Sequence, residues 1–343
     1  MDTRAVYLDI GEISIKTRKL PKLGPNEVLV KIHQASICGS ERYHFKGITV
    51  RPEDEARVSP EKHAYPMGPL GHEGGGTVIE AGSAVKEYLG GGMAAVGDRV
   101  GIITQPTYTD YWIFTPECVQ PIPEKVSFEV GCLYEPLGCA AWAGLHTGVR
   151  PGDYVAVNGA GFAGNILMQG AKRLGASLVI TIDVAEKKLD LAKKLGADIT
   201  VNPRKEKAVE RVNEITDGEG VDVAIEAIGG TGIGIVQSLG EVRHNGIIAL
   251  YGDNYAPIKE FCFHRLHEDG LFIRNLNPAH HTRLFMIEAL KEGLRAVERG
   301  VYDVQTLLDN STKYKLSDLP EVFKTETSNL EEQESIKTLI YPT

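Results

Sequence analysis

Cysteine is scarce in this chain: five residues in 343, an odd number at no regular spacing. That excludes a disulfide framework and points to a reduced, intracellular setting, with the cytoplasm as the expected location. Positive charge is also short. Lys and Arg number 37 against 46 Asp and Glu, a formal net charge of −9. A nucleic-acid-binding surface is normally basic, so nucleic acid is not an expected partner. No stretch is apolar for long enough to span a bilayer, so no membrane partner is expected either. The start, Met1-Asp2-Thr3-Arg4, leads into a short strand-like run rather than the long apolar core of a signal peptide. Internal repeats and low-complexity segments are absent. What remains is the composition of an ordinary soluble globular protein, in a chain too long for one typical domain and fitting two.

The most informative stretch runs from Tyr154 to Asp183. Tyr154 to Val157 form a short apolar run and read as a buried strand. It ends in Gly159-Ala160-Gly161-Phe162-Ala163-Gly164, followed by a helical pattern (Ile166, Leu167, Ala171, Leu174) that stops at Gly175. A second apolar run, Leu178 to Ile182, closes on Asp183. Strand, glycine turn, helix, strand and acid make the dinucleotide-binding unit in its expected context. Gly159 allows the tight turn, Gly161 lets the backbone approach a pyrophosphate, and Gly164 lets the helix pack on the strand. The helix N-terminus offers free N–H groups and a positive dipole end to the phosphates. Asp183 stands 19 residues beyond Gly164. A carboxylate there accepts hydrogen bonds from the adenosine ribose hydroxyls of NAD and repels the 2′-phosphate of NADP, so NAD is the expected cofactor.

Residues 1 to 130 read as β-rich. Val28 to Ile32, Gly76 to Ile79 and Arg99 to Ile103 are short strand-like runs separated by turn signals, which suggests a small barrel. A polar, proline-containing loop interrupts them between Ile48 and Pro66, carrying Arg51, Arg57, Lys62 and His63 among several acids. Loops of this length often line sites, and this one is expected to be mobile and to border the pocket. One helix is expected over Val130 to Thr147, joining two domains. βα alternation then continues, with strands at Ile199–Val201, Val221–Ala227, Ile247–Tyr251 and around Phe272-Ile273. A long helix over Thr282 to Arg299 and a last strand at Lys337–Ile340 follow. This alternation builds a parallel sheet with helices on both faces, an α/β fold.

Three places outside the nucleotide-binding unit carry metal-ligand chemistry: Cys38, the pair His72-Glu73, and Glu135 before Pro136. Thiolate, imidazole and carboxylate together suit Zn²⁺ in a tetrahedral catalytic site with one open position. Taken singly, each residue has a plainer reading. Cys38 serves as a small buried hydrophobe, His72 as a satisfied turn histidine, and the glutamates as partners of surface cations.

The segment Gly71-His72-Glu73, then Gly76, Gly82 and Val85, resembles the zinc-containing alcohol dehydrogenases of the medium-chain dehydrogenase/reductase family. Cys38-Gly39-Ser40, Gly97-Asp98-Arg99-Val100, the glycine turn and Gly196-Ala197-Asp198 fall in that family's order. The resemblance covers essentially the whole chain. It implies a GroES-like catalytic domain over 1–145, a Rossmann NAD-binding domain over 146–278, and a C-terminal segment, 279–343, that completes the first. Glu135-Pro136 is similar to the polyol, threonine and archaeal glucose dehydrogenase branch. By that resemblance Cys38, His72 and Glu73 or Glu135 hold the zinc, and the two glutamates exchange with a water during turnover. Ser40 relays the substrate proton, Asp110 binds substrate hydroxyls, Lys188 flanks the adenine ribose, and Asn277 lies near the nicotinamide. The plainer reading of Asp110 and Asn277 is a capping or turn residue. A homodimer or homotetramer is also implied.

Three departures qualify the resemblance. The family's four closely spaced cysteines are missing after Val100, so one catalytic zinc and no structural zinc is expected. Cys118, Cys132 and Cys139 have the wrong spacing to replace them. Glu41 and Tyr43 stand where the family usually has Asp and often has His, which puts a histidine proton relay in doubt. Cys38 and His72 are 34 residues apart, longer than usual because of the polar loop. The leading reading is a zinc-dependent NAD oxidoreductase acting on a secondary alcohol or carbonyl of a small polyhydroxylated substrate. A zinc-free quinone or enoyl reductase of the same fold and a non-catalytic nucleotide-binding protein are its rivals.

Overall fold

The computed structural model describes residues 1–48, 65–88, 91–92, 94–254, 258, 261–277, 283–328 and 334–342. In chain order the first part contains β1 (Asp2–Asp9), β2 (Glu12–Lys19), β3 (Val28–Ser36), α1 (Gly39–Phe45), β4 (Gly74–Ala81), β5 (Arg99–Ile102), β6 (Tyr111–Phe114) and β7 (Val119–Pro121). The short helices α2 (Phe128–Gly131) and α3 (Tyr134–His146) lead into the βα alternation. It runs β8 (Tyr154–Asn158), α4 (Phe162–Arg173), β9 (Leu178–Ile182), α5 (Glu186–Lys194), β10 (Ile199–Val201), α6 (Ala208–Ile215), β11 (Val221–Glu226), α7 (Ile233–Glu241), β12 (Val242–Leu250), α8 (Phe263–Glu268) and β13 (Phe272–Asn275). The chain closes with α9 (Arg283–Glu298), α10 (Val304–Asp309), β14 (Thr312–Lys315), α11 (Leu319–Ser328) and β15 (Thr338–Tyr341).

The six strands from β8 to β13 form one parallel sheet in the order β10-β9-β8-β11-β12-β13. This is the Rossmann order, and its topological switch point lies between β8 and β11, where nucleotides bind outside the strand ends. Both faces are covered, so the central strands are apolar throughout: Val155, Ala156, Val157, Ala224 and Ile225 are fully or almost fully buried. A second sheet runs β14-β15-β3-β4-β5-β7, with β6 also paired to β3. β15 pairs with β3 through Leu339 opposite Ser36 and Ile340 opposite Ala35. The last strand thus returns to the first sheet and closes it as a GroES-like barrel.

The single helix expected over Val130 to Thr147 is two. α2 ends at Gly131 with Cys132 as its cap, and α3 starts at Tyr134. Pro136 explains the break. It has no N–H, and its ring clashes with the carbonyl four residues back, at Cys132, whereas proline is tolerated in a helix's first turn. The break puts Glu135 in the first turn of α3. The strand expected at Ile247–Tyr251 is longer, β12 over Val242–Leu250, and it pairs with β11 on one side and the edge strand β13 on the other. Most of the polar loop, 49–64, lies outside the described residues, and with it Arg51, Arg57, Lys62 and His63. No helix among the described residues is long and apolar enough to cross a membrane.

Candidate active site

The barrel brings Cys38, His72 and Glu73 together. One ligand atom from each lies within 4.8 Å of the others. Cys38 directly precedes α1, and its backbone N–H donates to the Glu41 carboxylate at 3.1 Å, which fixes the thiol's position. Glu41 is buried and also lies 3.5 Å from His72 Nδ1, while Tyr108 donates its hydroxyl to the same carboxylate. The glutamate at this unexpected position therefore supports two members of the cluster. Glu73 directly precedes β4. Its carbonyl accepts from the Ser36 N–H at 3.0 Å, an extension of the β3–β4 pairing that sets its side chain beside Ser36.

Lys337 completes the arrangement. Its ammonium is 2.7 and 2.8 Å from the two Glu73 oxygens, with the side chains only 10% and 2% exposed. Ser36 donates its hydroxyl to the same carboxylate. Burial works to raise the Glu73 carboxyl, but Lys337 and His72 more than offset it, so Glu73 lies below the ordinary carboxylate range. Glu135 is pushed the other way. Burial raises it and the charge of Glu73 adds to that, against the opposing pull of His72. The Cys139 thiol donates to Glu135 at 3.2 Å. For His72, burial works to lower the imidazole, but Cys38 and Glu41 outweigh it and hold it well above the ordinary value. Tyr251, just beyond β12, meets this cluster from the other sheet. Its phenol is raised by burial and by the charges of Cys139, Glu135, Cys38 and Glu73.

The nucleotide turn follows β8. Gly159 has φ +105°, and a Cβ there would stand 2.8 Å from the Ala227 carbonyl oxygen. A Cβ on Gly164 would meet the Gly159 carbonyl oxygen at 1.9 Å, so only glycine lets α4 pack this close. The space over Gly161 is open, and Phe162 and Ala163 begin α4. Asp183 lies at the end of β9. One carboxylate oxygen accepts from Ala160 N at 2.8 Å and the other from Ala185 N at 2.9 Å. It thus braces the turn rather than capping α5, whose N-cap, Ala185, has no side-chain bond. Lys188 lies beside it, its ammonium lowered by burial and by Arg42 against the pull of Asp183. The Lys337 ammonium is 5.6 Å from the Phe162 ring centroid, so one cation touches both the carboxylate cluster and the nucleotide turn.

The remaining expected residues are placed less centrally. Ser40 lies at the start of α1, two residues from Cys38. Asp110 faces Arg4, which bonds its carboxylate through backbone N (3.0 Å), Nε (2.9 Å) and an outer nitrogen (2.5 Å). That engagement suits a structural tie between β1 and the segment before β6, and it leaves little of the carboxylate for substrate. Asn277 is exposed, its backbone N–H donating to Asn275 at 2.9 Å. Tyr43 reaches across from α1 to the loop after β11, where a Cβ on Gly230 would be 1.9 Å from its hydroxyl oxygen. Lys337, Ser36, Cys139 and Tyr251 escaped the sequence reading. The one signal for Lys337 was a lone charge opening an otherwise apolar strand.

Cys38, His72 and Glu73 offer the soft sulfur, imidazole nitrogen and hard oxygen of an open zinc site, and they fit that ion. Comparison with known proteins agrees with this geometry. A family model described as alcohol dehydrogenase GroES-like domain matches residues 24–124, and one described as zinc-binding dehydrogenase matches residues 163–291. The chain is 31% identical to the L-threonine 3-dehydrogenase of Symbiobacterium thermophilum, covering 70% of this chain and 72% of that one. It is 29% identical to the sorbitol dehydrogenase of Bacillus subtilis, covering 72% and 74%. A protein from Sinorhizobium meliloti described as a zinc-binding dehydrogenase, solved bound to NADP, superposes over all of both chains with a TM-score of 0.80 at 24% identity. Fold and site define an oxidoreductase. The chain belongs to the zinc-type medium-chain alcohol dehydrogenases, on their polyol dehydrogenase branch.

Proposed function

We propose that this chain is a zinc- and NAD-dependent dehydrogenase of a small polyhydroxylated compound: a sugar, polyol, cyclitol or amino alcohol. The observation that carries this is the Cys38-His72-Glu73 cluster, linked through Lys337 to Phe162 of the dinucleotide turn. The relatives named for sorbitol and threonine support the substrate class. Residues 1–145 and 279–343 make the catalytic unit and 146–278 the nucleotide unit.

Cys38, His72 and Glu73 hold the zinc, with Glu135 as the carboxylate in reserve. A zinc bound there would supply Lewis-acid polarisation of a substrate hydroxyl, and a bound NAD would supply the hydride acceptor. Ser40 would relay the hydroxyl proton, accepting it as it passes its own on toward solvent. Lys337 and Ser36 orient Glu73, and Cys139 orients Glu135. Gly159, Gly161, Phe162, Ala163 and Gly164 seat the pyrophosphate, Asp183 and Lys188 flank the adenosine ribose, and Asn277 borders the nicotinamide.

Asp183 is braced by two backbone N–H groups, so its charge is fixed where a 2′-phosphate would sit. Like-charge juxtaposition of this kind is worth several kcal/mol at most, so NAD is preferred over NADP by about 10²-fold in kcat/KM. Asp183→Ser narrows that gap, and a variant that keeps the full preference places the discrimination elsewhere. The test of the whole reading is metal analysis of the purified protein with an NAD-reduction screen over alcohols. One zinc per chain and turnover of a polyol are expected. Two zinc equivalents, or full activity with none, would refute it. Cys38→Ala loses zinc and activity yet stays folded, because the core does not depend on this ion.

A further inference from the structure

Behind the glycine turn lies a carboxyl group that the proposed chemistry does not use. Glu241, the last residue of α7, is completely buried, as are Asn158 and Ser238. Asn158 Nδ2 donates to one Glu241 oxygen at 2.7 Å, and Gln237 Nε2 donates to the other at 2.9 Å. Gln237 also donates to the Asn158 side-chain carbonyl, and Asn158 Nδ2 donates to the Ser238 hydroxyl at 3.0 Å. All of these partners are neutral.

The charged groups of the elements packed on α7 are engaged elsewhere. On α6, Glu210 pairs with Lys207, and Glu214 with Arg211. On β11, Glu226 accepts from the N–H groups of Ile228 and Gly229, and Asp222 pairs with Arg243 of β12. Among the described residues no cation bonds to Glu241. A buried carboxyl without a counter-charge resists ionisation. Burial pushes Glu241 up to about 7, with the Asn158 and Gln237 hydrogen bonds opposing.

Its location gives this group a possible partner site. Asn158, which holds Glu241, is the last residue of β8, and Gly159 of the nucleotide turn follows it directly. A dinucleotide on that turn brings a pyrophosphate, of the same sign as ionised Glu241, to the other end of the buried Glu241–Asn158–Gly159 link. We propose that Glu241 is a proton-binding site coupled to the dinucleotide site, taking up a proton when a pyrophosphate settles on the turn. This rests on the dinucleotide reading above. At an effective dielectric constant of about 20, two unit charges roughly a nanometre apart repel enough to change an affinity about tenfold. The sign follows: affinity is highest while Glu241 is protonated and falls as pH rises through about 7. By linkage, the dinucleotide raises the carboxyl's own pKa.

The test is calorimetric titration of the zinc-loaded protein with ADP-ribose, which carries the pyrophosphate but no nicotinamide. Between about pH 6 and about pH 8.5 the wild-type dissociation constant rises about tenfold. Near neutrality, buffers of different ionisation enthalpy reveal net proton uptake. Glu241→Gln, uncharged and of the same shape, binds with no such pH dependence and no uptake. A flat wild-type profile, or a Glu241→Gln variant that keeps the slope, overturns the proposal. If Glu241→Gln does not fold, carbon-13 NMR of glutamate carboxyls in the wild type decides. The Glu241 carboxyl resonance, assigned by sequential through-bond correlation, must titrate near neutrality and move to higher pH with ADP-ribose, and its failure to do either overturns the proposal. A wild type that binds no ADP-ribose at all fails on the dinucleotide reading itself, which a flat profile with intact binding does not.

Discussion

Glu73 and Glu135 carry the same side chain, yet their surroundings drive them in opposite directions, Glu135 up and Glu73 down. The difference is Lys337, which bonds both Glu73 oxygens, while Glu135 has a thiol as its hydrogen-bond partner. An anionic carboxylate is the better metal donor, which favours Glu73 over Glu135 in the zinc shell proposed above. The pair also bears on stability. Breaking a buried ion pair from one side leaves an uncompensated charge, which costs about 3–5 kcal/mol. Lys337→Met is therefore expected to lower the unfolding free energy of metal-depleted protein by about 3 kcal/mol in urea titrations. A loss below about 1 kcal/mol would show that Glu73 simply takes up a proton instead.

At the scale of elements, α3 ties the two sheets together, and it does so by close approach to α9. A Cβ on Gly138 would stand 2.5 Å from the Leu290 Cα, and one on Gly293 would stand 2.8 Å from the Gly138 Cα. Small residues at the crossing let the backbones touch, and Leu290 and Leu294 fill the space on either side. Since Glu135 sits in the first turn of α3, the crossing also bears on how its carboxylate is aimed. Overpacking a close contact costs about 1–3 kcal/mol, so Gly138→Val should lower the melting temperature by several degrees. It should also reduce kcat, because α3 must tilt to accept the new methyl groups. A variant with wild-type melting and turnover would mean that α9 yields freely and that the crossing does not control Glu135.

At the scale of the whole molecule, the parallel sheet ends in β13, all four of whose residues are exposed. Phe272 is 62% and Ile273 43% exposed, and Phe263 nearby is 72% exposed. An apolar sheet edge with free backbone N–H and C=O groups is normally covered. A second copy of the chain, joined edge to edge about a twofold axis, would cover it with the same surface. Light scattering at micromolar concentration is therefore expected to give at least a dimer, and Phe272→Lys to shift it toward monomer. A monomeric wild type would leave β13 exposed in solution and remove this part of the reading.

Read alone, the chain determined those features whose signals lie close together in it. The turn from Gly159 to Gly164, the acid at Asp183 and the βα alternation depend on near neighbours, and they appear where the periodicities put them, except that β12 starts earlier than expected, at Val242. The donor types at Cys38, His72 and Glu73 were visible as residues, and it was the family resemblance, not their spacing, that put them in one cluster. Tertiary structure alone decided the pairings. Lys337 meets Glu73 across 264 residues and Arg4 meets Asp110 across 106, the first because β15 pairs with β3 in one particular register. A slip of one residue in that strand would turn every side chain to the other face. Nothing local to Lys337 specifies the register, which is set by the packing of Leu339 and Ile340 into a core assembled from distant parts of the chain.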